Sequence, residues 1–173
     1  MILWPRQRSG AKATPSCPCG WRGHPRRGCR CTPADVGRHA ARISGPVLDR
    51  MDIQIEVPAL TSEELMATSP GEPSEGVRER VLAARARQAA RGALNAELAT
   101  AALREVCALD AAARRLIADA VDRGGMSARG VHRAMRVART IADLAGEERV
   151  SATRLAEALQ YRAHEAGRAG RGG

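Results

Sequence analysis

At 173 residues the chain can hold one ordinary domain, or one small domain with attached fragments. It has no Phe, one tyrosine (Tyr161) and two tryptophans (Trp4 and Trp21), so any core is built from Ala, Leu, Val, Ile and Met. Such residues suit close-packed helices and argue against a sandwich or barrel, and the fold is expected to be mainly α. The net charge of +9 is carried almost wholly by arginine, with Lys12 the single lysine. A guanidinium fork donates two hydrogen bonds at once and never deprotonates, which points to phosphate-bearing partners, although a genome that writes arginine for every cation would give the same composition.

In chain order, residues 1–16 are polar, basic and unpatterned and read as disordered. Their apolar run, Ile2 to Trp4, is far too short for a signal peptide or a membrane span. No membrane partner is expected, and the location is expected to be cytoplasmic. Residues 17–32 are rich in Cys, Gly, Pro and Arg, a loop that needs an outside constraint to be ordered. A short helix fits residues 35–43. Val47, Leu48 and Met51 are then interleaved with Asp49, Arg50 and Asp52, and the alternation from Ile53 to Val57 reads as a half-buried strand. An arginine between two aspartates is ordinarily a surface ion pair of small energetic value.

Residues 59–76 form a linker with Pro58, Pro70, Gly71 and Pro73 as breakers, holding at most a short helix over 62–67. Beyond it everything reads as helix. Val77 to Arg91 runs unbroken to Gly92; Asn95 can cap a helix ending near Cys107; Asp110 can cap one stopping at Gly124 and Gly125; Ser127 caps a long one ending at Gly146; Ser151 caps the last, through Tyr161. Residues 163–173 are Gly- and Arg-rich and expected to fray.

The long helix, SARGVHRAMRVARTIADLAG, places Val131, Met135, Ala138, Ala142 and Ala145 on one stripe and Arg129, Arg133, Arg136 and Thr140 opposite. Cations near a helix start oppose the helix dipole, a cost more readily tolerated beside a bound anion. Arg133 and Arg136 are thereby candidates for phosphate or DNA contact.

Cys17 and Cys19, then Cys29 and Cys31, form two C-x-C pairs. In a reducing compartment thiols or metal ligands are favoured over disulfides. Four thiolates from such a loop could close tetrahedrally on a structural Zn²⁺, with His24 and His39 as substitutes for one cysteine. A catalytic zinc is not expected, because four protein ligands leave no open position. Cys107, among apolar helix positions, is expected in the core.

Taken together, CPCG at 17–20, CRC at 29–31, RISGPVLDRMDIQIEVP at 42–58, VRERVLAARARQAAR at 77–91, and SARGVHRAMRVARTIADLAG followed by VSATRLAEALQYR resemble the C-terminal part of the ComM/YifB family. These are AAA+ ATPases related to the I subunit of magnesium chelatase. The resemblance runs over roughly residues 17–162 and finds nothing familiar in 1–16. It implies that 17–58 are a short remnant of the α/β ATPase core with a Cys-rich insert and the finger segment, and that 77–162 are the helical-bundle lid. Where the family has Asn-Pro before C-P-C-G, this chain has Pro15 and Ser16, and no G-x-x-x-x-G-K-[ST] loop occurs; SGAKAT at 9–14 lacks the first glycine and the Gly-Lys pair that form a phosphate cradle. ATP and Mg²⁺ are therefore expected only with the missing core, and the chain alone is expected to be inactive.

The same resemblance maps the trans-acting arginine finger to Arg50, with Asp49 and Asp52 orienting it, and the sensor-2 arginine to Arg129. It also implies other AAA+ subunits in a hexameric ring as partners, DNA as the object of ATP-driven remodelling or branch migration in recombination and competence, and a truncated or mis-started copy as the origin of the chain. A different class of reading is a stand-alone basic zinc and nucleic-acid-binding module. The scarcity of aromatic platforms weighs against single-strand recognition by base stacking.

Overall fold

The structure, a computed structural model, describes residues 15–24, 26–42, 50–55, 57, 60–66 and 71–162. Expectations placed on 1–14, on Val47, Leu48 and Asp49, and on 163–173 lie outside the described residues. Seven α-helices are present among the described residues: α1 (Pro33–Ala41), α2 (Ser62–Met66), α3 (Ser74–Ala90), α4 (Thr100–Cys107), α5 (Ala111–Asp122), α6 (Ala128–Ala145) and α7 (Ala152–Gln160), with a 3-10 turn at Asn95–Glu97. The mainly α expectation holds. No helix among the described residues is long and apolar enough to cross a membrane.

Contacts divide the chain into two units, one holding the described residues 15–42 with 57–66, the other 50–55 with 71–162. Residues 50–55, grouped with the cysteine loop in the sequence reading, thus belong to the helical unit.

In the first unit, α1 starts with a capping box. Thr32 accepts from the Asp35 amide while the Asp35 carboxylate accepts from the Thr32 amide, and Pro33 occupies the first turn, where its missing N–H costs nothing. Thr61 and Glu64 cap α2 by the same reciprocal pair.

In the second unit, Asp110, Ser127 and Ser151 each accept from the amide three residues on, which fixes the starts of α5, α6 and α7 where the sequence places them. Gly146 ends α6 in the left-handed conformation (φ 77°), and a Cβ there would meet Arg87 Nη2 at 3.2 Å. The core lies between α4, α5, α6 and α7 and contains Leu103, Cys107, Met135, Ala138, Ala142, Val150 and Leu155. Small alanines on α6 let neighbouring helices approach closely, and burial of each Leu or Val contributes about 1.5–3 kcal/mol. Cys107 is fully buried as expected, and that burial pushes its thiol up to about 11.

Two elements differ from expectation. Asn95 does not cap a helix: α4 begins only at Thr100, and Asn95 instead sits buried with its side chain bonded to Asp143 and Thr140. There is also no strand at 53–57 among the described residues; Ile53 and Ile55 are exposed, and the Gln54 N–H donates to Tyr161 O at 2.9 Å, just past a helix and not in a strand ladder. A strand needs a row of such partners, and periodicity alone cannot supply a neighbour.

Candidate functional site

The cysteine loop turns tightly. The Gly20 amide donates to the Cys17 carbonyl at 3.0 Å, and Gly20 and Gly23 take positive φ (77° and 79°), conformations glycine adopts without strain. The turn gathers all four loop cysteines, their Sγ atoms lying within 4.8 Å of one another. Cys17 to Cys19 is 3.4 Å, and Cys19 to Cys29 and Cys17 to Cys29 are 3.7 Å. A tetrahedral zinc site with Zn–S of 2.3 Å has S···S edges of about 3.8 Å, so the donor set fits a metal of that size and preference.

Electrostatics in the loop are uneven. Backbone amides of Trp21 and Arg30 donate toward Cys19 and bring its thiol down to about 6. At Cys31 the Cys19 amide acts in the same direction, but desolvation and the surrounding thiols outweigh it and push the group up to about 12. Four thiolates this close repel one another, and a bound cation is what would let all four ionise together. The histidines that might have replaced a cysteine are engaged elsewhere: His24 Nδ1 accepts from the Arg26 and Arg27 amides, and His39 Nε2 lies 3.0 Å from the Pro15 carbonyl oxygen. Around the cluster, Arg22, Arg26, Arg27 and Arg30 are exposed, and the Arg27 guanidinium sits 4.2 Å from the Trp21 ring centroid.

In the helical unit the predicted arginines divide into three kinds. Arg129 is exposed on the first turn of α6. Arg136 is half-buried and donates to the Leu98 carbonyl at 2.8 Å, a tie within the fold. Arg133, one turn beyond Arg129, donates to the Arg50 carbonyl at 2.7 Å and to Asp52 Oδ1 at 2.6 Å. The structure therefore brings Arg50, Asp52 and Arg133 together, with the carboxylate of Asp52 facing Arg133. Arg50 itself is exposed, and Met51, next to it, has its carbonyl bound by the buried Arg162 at 2.7 Å.

Sequence reasoning missed the charged cluster inside the bundle. Asp143, fully buried, accepts from Arg91 through both carboxylate oxygens and from Asn95, and pairs with Arg139 at 3.0 Å. Arg139 donates in addition to the carbonyls of Glu147 and Glu148. The i, i+4 spacing of Arg139 and Asp143 was the available signal.

A four-cysteine loop followed in the chain by a unit of five helices, α3 to α7, occupies the stretch that two magnesium chelatase family models match. Residues 71–162 match the family model "Magnesium chelatase, subunit ChlI C-terminal", and residues 3–65 match "Magnesium chelatase, subunit ChlI". The chain belongs to this family and within it to the ComM/YifB group. The subunit ChlI match begins at residue 3, upstream of the motifs at 17 onward on which the resemblance was drawn. Over 136 residues the chain is 43% identical to "Competence protein ComM" of Haemophilus influenzae and 40% identical to YifB of Escherichia coli K12, covering 78% of this chain and 27% of each relative. An uncharacterized protein of Mycobacterium tuberculosis (strain H37Rv) is 36% identical over 151 residues, 84% of this chain and 29% of its own length. The chain thus spans little more than a quarter of the relatives it matches.

Proposed function

We propose that this chain supplies the end of an AAA+ ATPase subunit and works only with a nucleotide-binding core of the same family. Arg50 serves as the arginine finger: it reaches across a subunit boundary and neutralises charge developing on the γ-phosphate of a neighbour's ATP, an effect of about 10³ to 10⁵ in rate where such fingers act. Arg129 serves as the sensor-2 arginine over its own subunit's nucleotide. The observation that carries the reading is the pairing of an exposed Arg50 side chain with a main chain held at two successive carbonyls, by Arg133 at residue 50 and Arg162 at residue 51. A finger needs a fixed root and a solvent-facing tip.

Cys17, Cys19, Cys29 and Cys31 would hold one Zn²⁺. A full shell of four thiolates leaves no position for water, so the ion's contribution is to order the loop. The sequence holds no G-x-x-x-x-G-K-[ST] phosphate cradle, and its residues take no step of hydrolysis beyond the two arginines. The ring partners are other AAA+ subunits, and DNA is the object on which the whole protein acts. Within this chain the exposed Arg22, Arg26, Arg27 and Arg30, with no acidic residue among 15–34, suit phosphate contact better than Arg133 and Arg136, whose donors are turned to the fold.

The test is to join the full chain to the nucleotide-binding half of Haemophilus influenzae ComM and measure ATP hydrolysis by the assembled ring. Arg50→Ala is expected to lower turnover by about 10³-fold or more. Turnover unchanged by Arg50→Ala would refute the finger role.

A further inference from the structure

The stretch 50–54 has neither helix nor strand among the described residues, yet it is fastened to the helical unit at four points. Arg133, on α6, donates to the Arg50 carbonyl at 2.7 Å and to the Asp52 carboxylate at 2.6 Å. Arg162, just past α7 and 1% exposed, donates to the Met51 carbonyl at 2.7 Å, and the Gln54 amide donates to the Tyr161 carbonyl at 2.9 Å. Three of the four bonds are charge-assisted, the stronger and more directional kind. Two successive carbonyls are thus gripped from two places, α6 and the turn after α7, which fixes both position and orientation of the chain between them. A single surface ion pair would leave it free to swing.

We infer that Arg133 and Arg162 are positioning residues that lock the Arg50 segment to α6 and to the turn after α7, and so hold the proposed finger in place. Arg133 lies one turn from Arg129 on the same helix. The segment that carries Arg50 and the helix that carries Arg129 are therefore tied side by side. The lock itself stands on the four bonds; its coupling to turnover rests on the proposed role of Arg50.

Two measurements test it. In the full chain, followed by amide hydrogen exchange, Arg133→Gln and Asp52→Asn should each speed exchange of the Gln54 amide by about tenfold or more, with the amides of 134–142 in α6 still protected as a control for folding. Unchanged exchange at Gln54 with α6 intact would overturn the lock. In the ring formed by the full chain joined to the nucleotide-binding half of Haemophilus influenzae ComM, Arg133→Gln should lower kcat by about 10²-fold while KM for ATP stays put, as expected for a misplaced but chemically intact finger. Arg133→Lys, which keeps the charge opposite Asp52, should recover part of it. Adding Arg133→Gln to Arg50→Ala should cost nothing further, because the two act through one group. Additive losses, or full kcat in Arg133→Gln where Arg50→Ala is crippled, would overturn the coupling. Full kcat in Arg50→Ala itself would instead remove the finger role and the coupling with it, while the exchange result still decides the lock.

Discussion

Arg91 and Asp143, 52 positions apart, meet in a two-pronged ion pair: Arg91 Nη1 to Oδ1 at 2.9 Å and Nη2 to Oδ2 at 2.5 Å, with the aspartate fully buried. The pair ties the end of α3 to the last turns of α6, and Arg87 adds a bond to the Asp143 carbonyl at 3.0 Å. With Arg139 at 3.0 Å as well, two guanidinium groups surround one carboxylate.

Removing that carboxylate leaves Arg139, 1% exposed, as a charge without its acid. Asp143→Ala is expected to destabilise the helical unit by about 3–5 kcal/mol, the range for breaking one partner out of a buried pair. Chemical denaturation followed by helical circular dichroism measures it. A loss under about 1 kcal/mol would show that the cluster is not the tie it resembles.

The same group sets an acid limit. Burial by itself raises the Asp143 pKa, but hydrogen bonds from Arg91 and Asn95 and the charges of Arg139 and Arg91 outweigh it and hold the carboxyl below its ordinary 3.8. Because the folded value lies under the unfolded one, the stabilisation is fully present above the unfolded pKa and is lost as pH falls through the folded one. The melting temperature should accordingly be insensitive to this group from neutral pH down to about 5 and fall with increasing steepness below about 4. Asp143→Asn, less stable at neutral pH, should show a shallower acid decline. Identical acid slopes in the two proteins would contradict the assignment.

Much of this fold was legible from capping chemistry. Ser127, Asp110 and Ser151 each stood before an apolar-periodic run, and local hydrogen bonding decides such positions with little help from tertiary structure. Asn95 looked like a fourth case. Its side chain is taken by Asp143 and Thr140, however, and only a contact across 48 positions could reveal that. Arg139 and Asp143 went unnoticed for a related reason: they border the apolar stripe of α6, where a charge ordinarily reads as solvent-facing, and their burial depends on Arg91 arriving from another helix. The cysteine spacing pointed to a cluster, while the amides of Trp21 and Arg30 that steer Cys19 are backbone features no spacing encodes.

One Zn²⁺ per chain is expected in protein purified without chelator, measured by elemental analysis. Replacing Cys17 and Cys29 together by Ser removes two of four ligands and should abolish it, with the loss confined to the cysteine unit and the helical content of 71–162 retained. Absence of zinc from the unaltered protein would eliminate the site.

The chain alone is expected to turn over no ATP above background. SGAKAT at 9–14 lacks the first glycine and the Gly-Lys pair of a loop that holds β- and γ-phosphates, and two arginines stabilise a transition state only when something else binds the nucleotide and its metal. Steady hydrolysis by the purified chain that is lost on Arg50→Ala or Arg129→Ala would contradict this.

The most direct measurement of the central claim is subunit mixing in the ring formed by the full chain joined to the nucleotide-binding half of Haemophilus influenzae ComM. If Arg50 acts across a boundary and Arg129 within its own subunit, Arg50→Ala subunits and Arg129→Ala subunits should each be nearly inactive alone and should recover part of the hydrolysis when mixed. At shared interfaces an Arg50→Ala subunit still offers an intact site and its Arg129→Ala neighbour an intact finger. Subunits mutated in the Walker B acid should rescue Arg50→Ala on the same logic. Rings that assemble yet show no recovery in any mixture, or Arg50→Ala rings that hydrolyse ATP at the full rate, would show Arg50 to be an ordinary surface arginine.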